Sequence, residues 1–218
     1  MISSPHTVSD VMTHTVVSVG REAAFKEIVE LMRQWRVSSL PVVEGEGRVI
    51  GVVSEADLLP KEEFRDSDPS LLPMRRVSDV AKAGALTAGE LMTAPAVTVH
   101  ADATLAQAAR TMTLRKVKRL PVVDRLGVLE GVVSRSDLLK VFLRSDAELA
   151  AEVNQSVVAI LFPNQAVSAS VQDGVVTFRG PVRDRNLVPV AARLAHAVEG
   201  VVDVRMDLTA PAAPPPSR

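Results

Sequence analysis

The sequence predicts an α+β protein: two copies of one β-α-β-β-α unit packed as a pseudo-twofold pair, followed by a smaller α-β-β-α-β domain. Three observations carry this. GVVSEADLL (51–59) recurs as GVVSRSDLL (131–139), and the 80-residue offset holds for the flanking sequence. Within each copy, apolar spacing switches between helical and strand periods in the same order. After Leu143 the pattern changes to a different one, ending in an alternating stretch and an Asp173-Gly174 turn.

The repeat is dense. Met12-Thr13 matches Met92-Thr93, Val17 and Val19 match Val97 and Val99, and Met32 matches Met112. Between 40–59 and 120–139, 12 of 20 positions are identical, which marks a tandem duplication. In each copy a short strand (16–19, 96–99) is expected first. Phe25, Ile28, Val29, Met32 and Trp35 then share one face of a helix, with Trp35 in core or interface packing. In copy two, Thr104 and Gln107 form a capping box at the matching helix start. SLPVV and RLPVV, turns at 44–47 and 124–127, and VIGVVS and LEGVVS give two further strands, with a helix beginning near Ser54 and Ser134. One unit of about 55 residues buries too little surface alone, so two should pack sheet against sheet. The expected divisions are 7–60 and 88–143 for the repeats, with a polar, Pro-containing linker at 61–87, helical in part from Met74 to Ala83.

Composition narrows the function. Of 218 residues 47% are apolar and 3% aromatic, with no Tyr, so the core must be Val, Leu, Ala and Met. A net charge of −1 argues against nucleic acid as a partner. The absence of Cys excludes disulfides, thiolate metal sites and cysteine nucleophiles. MISSPHTVSD has neither a basic nor an apolar signal region, and no apolar run has transmembrane length, so a cytoplasmic protein is expected. The four His residues are scattered, Gly45-x-Gly47 precedes a strand rather than a helix, and neither a P-loop nor a nucleophile elbow occurs, so no catalysis is expected.

The Ser-x-x-Asp pairs, Ser54/Asp57 and Ser134/Asp137, admit two readings. Both could cap the helix that follows, each Asp favouring its positive end. Alternatively, a helix N-terminus opening on a cleft could bind phosphate while the carboxylate accepts hydrogen bonds from a ribose diol. One short motif could do both.

G-h-h-S-x-x-D-h-h, preceded by h-P-V-V and further upstream by M-T, resembles the CBS domain, and a tandem pair resembles a Bateman module. The resemblance covers residues 7–143. It implies a regulatory module binding AMP, ADP, ATP or S-adenosylmethionine, with Asp57 and Asp137 as ribose ligands beside Ser54 and Ser134. It also implies purine contacts from Thr13, Val17, Val37 and Ser38 in copy one and from Thr93, Val97, Val117 and Lys118 in copy two. One repeat's purine wall should face the other's Ser-x-x-Asp. Lys118 and Arg119, which stand where copy one has Ser38 and Ser39, imply a phosphate preference in one of two unequal clefts; a solvated helix end is the alternative for these cations. The family also implies a homodimer formed through the helices of the pair, and transmission of ligand binding to an unknown protein target.

In the C-terminal part, Leu149, Val153, Val157 and Ile160 have helical spacing, 166–171 alternates, VVTFRG follows the turn, and NLVPVAARLAHAVEG reads as a second helix. Pro189 fits that helix's first turn, Gly200 its stop, and VVDVRMDL a third strand. VQDGVVTFRGPV and AVEGVVDVRMDL, within 146–209, resemble the BON domain, whose members are described as phospholipid- or partner-binding. Five Arg and no Lys against seven acids between 147 and 209 give little attraction to anionic lipid, so a protein partner is preferred over phospholipid. Residues 210–218 read as a disordered tail. The competing overall reading is a ligand-free interaction or membrane-associated scaffold, in which the Ser-x-x-Asp pairs only cap helices.

Overall fold

The computed structural model describes residues 6–63 and 77–210, with side chains from 81 onward in the second stretch. The chain divides into two units, 7–137 and 138–210, the second including His6. Among the described residues no helix is long and apolar enough to cross a membrane. The 210–218 tail beyond Ala210, and the linker from 64 to 76 including Met74, lie outside the described residues.

In the first unit, copy one runs α1 (Val8–Val11), β1 (Val19–Gly20), α2 (Phe25–Trp35), β2 (Ser39–Glu44), β3 (Arg48–Ser54) and α3 (Glu55–Leu58). Two linker helices, α4 (Pro60–Glu63) and α5 (Val77–Gly84), follow. Copy two repeats the order as α6 (Ala88–Leu91), β4 (Val99–His100), α7 (Leu105–Arg115), β5 (Arg119–Val123), β6 (Leu129–Ser134) and α8 (Arg135–Leu138). Each sheet has its middle strand parallel to the first and antiparallel to the third. Ile28 and Met32 of α2 pack on Leu40, Val42 and Val53, each such side chain contributing about 2 kcal/mol by burial. Val29 departs from the expected buried face, and Trp35 lies outside the core, which leaves the interface role expected for it. They are 41% and 50% exposed, because the buried stripe of α2 is narrow and centred on Ile28 and Met32. The first strands are also shorter than the apolar runs: β1 and β4 are two residues each.

The pseudo-twofold pairing appears as reciprocal hydrogen bonds. Val49 N–H donates to Gly127 O (2.9 Å) while Leu129 N–H donates to Gly47 O (3.0 Å), and Arg48 bridges its own 80-residue counterpart Val128. Thr13 bridges Val132 on one side and Thr93 bridges Val52 on the other. The copies also exchange their first helices. Val8 N–H and Ser9 N–H donate to Ala103 O and Ala101 O, while Ala88 N–H and Gly89 N–H donate to Ala23 O and Arg21 O. Ala88 and Leu91 accordingly sit in the core of copy one. Capping boxes start both helices: Thr7 N–H donates to Asp10 (2.6 Å), and Leu86 and Thr87 N–H donate to Glu90 (2.7 and 3.1 Å). The Leu86 and Thr87 amides hold the Glu90 carboxyl below its ordinary range.

The two landmark motifs meet across this axis. Met92 of M-T lies over Gly51 of the other copy's G-h-h-S, and Met12 lies over Gly131. A Cβ at Gly51 would fall 2.4 Å from Met92 Sδ, and one at Gly131 would fall 3.0 Å from Thr13 O. The motif glycine is thus the gap into which the exchanged segment seats.

The second unit opens with a 3₁₀ turn (Leu139–Leu143). It continues as α9 (Asp146–Val153), a π turn (Asn154–Val158), α10 (Ala159–Leu161), β7 (Ser168–Gln172), β8 (Val175–Pro181), α11 (Leu187–His196) and β9 (Asp203–Thr209). The sheet order is β7-β8-β9, antiparallel then parallel. Leu149, Val153 and Val157 are buried as their spacing requires, but Ile160 is 58% exposed. The wide π turn shifts the helical phase and turns Val158 and Phe162 inward instead. At its start, Asn154 Nδ2 donates to Ala150 O and Ala169 O (both 2.7 Å) and Oδ1 accepts from Ala169 N–H (3.0 Å), tying helix to edge strand. Asp173 and Gly174 close a two-residue hairpin with both φ positive, and both amides donate to Asp146. Pro189 lies in the first turn of α11. Gly200 is four residues beyond that helix's end, so its positive φ (97°) serves the turn toward β9 rather than the helix stop.

Candidate functional site

The C-terminal end of β3, the starts of β2 and β5 and the loop before β4 enclose a cavity of about 470 Å³ in the first unit. Its walls come from both copies. Copy one brings Ser54 and Asp57 from the β3–α3 junction and Ser38 from the start of β2. Copy two brings Thr93 and Val97 from the M-T loop, and Val117, Lys118 and Arg119 from the α7–β5 junction. These eight of the thirteen residues nominated from sequence surround one space. Thr13, Val17, Val37, Ser134 and Asp137 do not line it; they occupy the counterpart positions on the other side of the pseudo-twofold axis. Thr13 there pairs with Val132 as Thr93 pairs with Val52.

Local folding positions each group. Thr93 is held by its backbone, donating to Val52 O (2.9 Å) and accepting from Val52 N–H (3.1 Å), which sets its Oγ1 3.4 Å from Asp57 Oδ1. Asp57 is 9% exposed. Its Oδ2 accepts from Ser54 N–H (2.8 Å) and Ser54 Oγ–H (2.6 Å), so the cap is formed. The same cap forms at the other motif: Asp137 Oδ2 accepts from Ser134 N–H (2.9 Å) and Oγ–H (2.5 Å). The left-handed residue Lys116 ends α7 and turns the chain so that Lys118 and Arg119 reach the cavity. Arg119 Nη1 donates to Ser38 Oγ (3.0 Å) and Ser39 Oγ (3.4 Å) across the axis.

Two features depart from the sequence reading. The helix after Ser54 is a single turn, and its first amide, Glu55 N–H, donates to Ser38 O (3.1 Å). A phosphate would therefore depend on the Lys116, Lys118 and Arg119 cations rather than on a helix N-terminus. Second, Asp57 Oδ1 is paired with Lys82 Nζ from α5, a partner no motif announces. Val52, Pro95 and Ala96 complete an apolar wall that sequence reasoning did not name. Among the described residues no cluster of potential metal ligands occurs.

A wall of small apolar side chains, a carboxylate with two hydroxyls and a group of cations, contributed by both repeats, surround one cavity between paired domains. The CBS-domain model matches residues 8–61 and 88–144, and the BON-domain model matches 145–211. The chain belongs to the CBS-domain family, with a tandem CBS pair followed by a BON domain. It is 29% identical over 157 residues to the CBS domain-containing protein CBSX2, chloroplastic, of Arabidopsis thaliana, which covers 66% of each chain. It is 27% identical over 153 residues to the uncharacterised protein MJ1426 of Methanocaldococcus jannaschii, 62% of this chain and 90% of that one. The crystal structure of CBSX2 in complex with AMP superposes with a TM-score of 0.54 at 28% identity, over 63% of this chain and 97% of that one.

Proposed function

We propose that this protein is a non-catalytic regulatory module whose CBS pair binds an adenosine-containing ligand, with AMP the first choice, and passes the change to a protein partner. The observation that carries the reading is the shared cavity. Its volume falls in the range of small-ligand sites, about 300–1,000 Å³. Its apolar wall (Val52, Pro95, Val97, Val117) suits a purine, Asp57 with Ser54 and Thr93 a ribose diol, and Lys116, Lys118 and Arg119 a phosphate. The AMP complex of CBSX2, a relative of the same fold, supports the choice of ligand. ADP, ATP and S-adenosylmethionine are the alternatives to be ranked by the same assay.

The cations predict how the ligand is discriminated. Replacing both Lys118 and Arg119 by Ala is expected to weaken AMP roughly 30-fold or more, at about 1–2 kcal/mol per charged contact, while adenosine changes by less than about threefold. Calorimetric titration of both ligands checks this; equal losses for AMP and adenosine would count against a phosphate role.

The functional unit is taken to be a homodimer formed through α2 and α7, where Val29, Trp35 and Leu114 are 41, 50 and 80% exposed. Trp35→Asp is expected to shift the protein to monomer in sedimentation velocity at micromolar concentration; a wild-type monomer would refute this arrangement. The BON domain is assigned a protein partner rather than phospholipid, on its excess of acids over arginines.

A further inference from the structure

We propose that Lys82 is the resident occupant of the ribose-binding carboxylate, and that an entering ligand must displace it and so loosen α5. The inference rests on the adenosine reading above and names how that site is regulated.

Asp57 has no vacant acceptor position. A carboxylate accepts about four hydrogen bonds. Oδ2 receives two from Ser54, and Oδ1 receives the Lys82 ammonium and, at 3.4 Å, the Thr93 hydroxyl. The Ser54 bonds are the helix cap, so giving them up would cost the start of α3. A ribose diol brings two donors, so it must take Oδ1 from Lys82. The ion pair is well sheltered, its side chains 18% and 11% exposed, which gives Lys82 a stronger hold than a surface pair has.

Lys82 is also a side-chain tether of α5, and Lys61 is another. At that helix's C-terminal end, Lys61 Nζ donates to Ala83 O (3.3 Å) and Ala85 O (2.8 Å) while lying 5.2 Å from the Phe25 ring centroid. Three residues past Ala85 begins α6, the exchanged helix that fills the core of copy one. Displacing Lys82 therefore removes one tether from the segment joining cavity to repeat interface. Occupancy of the cavity becomes a change in the linker, and the cost of displacement lowers the apparent affinity by the fraction of molecules with a free carboxylate.

The test compares AMP affinity by calorimetry, and amide exchange of residues 81–85, in the wild-type chain, Lys82→Met and Lys61→Met. Lys82→Met removes the competitor and is expected to bind AMP about tenfold tighter. In the wild-type chain AMP should accelerate exchange at 81–85; in Lys82→Met exchange should be fast with or without AMP. Lys61→Met loosens the same helix without touching Asp57 and should bind AMP within about twofold of wild type. Binding by Lys82→Met where the wild-type chain shows none would also support the proposal. Equal or weaker binding by Lys82→Met, or the same gain in Lys61→Met, overturns it while the adenosine reading stands. Binding by none of the three overturns both.

Discussion

Asp57→Ala is expected to weaken AMP binding by about 30-fold or more, whereas Asp137→Ala leaves binding at the shared cavity within about threefold. The comparison isolates recognition from folding. Both aspartates close the same capping box, with Ser54 and Ser134 amides at 2.8 and 2.9 Å, so each variant loses a cap worth about 1 kcal/mol. Asp57 alone lines the cavity, and the hydrogen bonds a diol makes to a charged acceptor are worth about 1.5–3 kcal/mol. Its removal also strands the Lys82 ammonium, so its melting temperature should fall further than that of Asp137→Ala. Thermal melts and AMP titrations of the two variants check this. Equal loss of stability in both with unaltered AMP binding would reduce the Ser-x-x-Asp pairs to helix caps.

Gly180→Ala is expected to unfold the BON unit while the CBS pair stays folded. Gly180 has φ 128°, and a Cβ there would lie 2.1 Å from Ala166 O and 2.9 Å from Val167 Cα. Both obstacles are backbone, so rotamer changes give no relief. Strain and overlap together should cost about 4 kcal/mol, a large share of a small domain's stability. The affected core is that of Phe162, Val176 and Phe178, separate from the cluster around Ile28 and Leu40. Amide exchange should become fast across 145–209 and stay slow in β2, β3, β5 and β6. Loss of protection in both units together would show that they fold as one.

Much of the fold was legible because the sequence states it twice. The helix from Phe25 to Trp35, the Thr104–Gln107 cap and the antiparallel strand pairs all lie where period and turn chemistry place them. The first strands came out shorter than the apolar runs because apolar character reports burial, not a hydrogen-bonding neighbour. Val17 packs on the core without pairing. The exchanged helices α1 and α6 went unread because four residues show no period; the Thr7/Asp10 and Thr87/Glu90 boxes were the available signal. The π turn could not be read from spacing, and it is what sends Ile160 outward. In the site, the residues tied to a repeated motif were nameable, while Lys82 was not: its contact with Asp57 spans 25 positions of sequence and follows no motif.

The most direct test of the central claim is thermal unfolding of the whole chain with AMP, ADP, ATP, S-adenosylmethionine and NADH, each at millimolar concentration. A ligand at 100 times its dissociation constant adds about 2.7 kcal/mol. The account predicts a clear rise in melting temperature with AMP, lost in Asp57→Ala. No rise with any of the five compounds would contradict it.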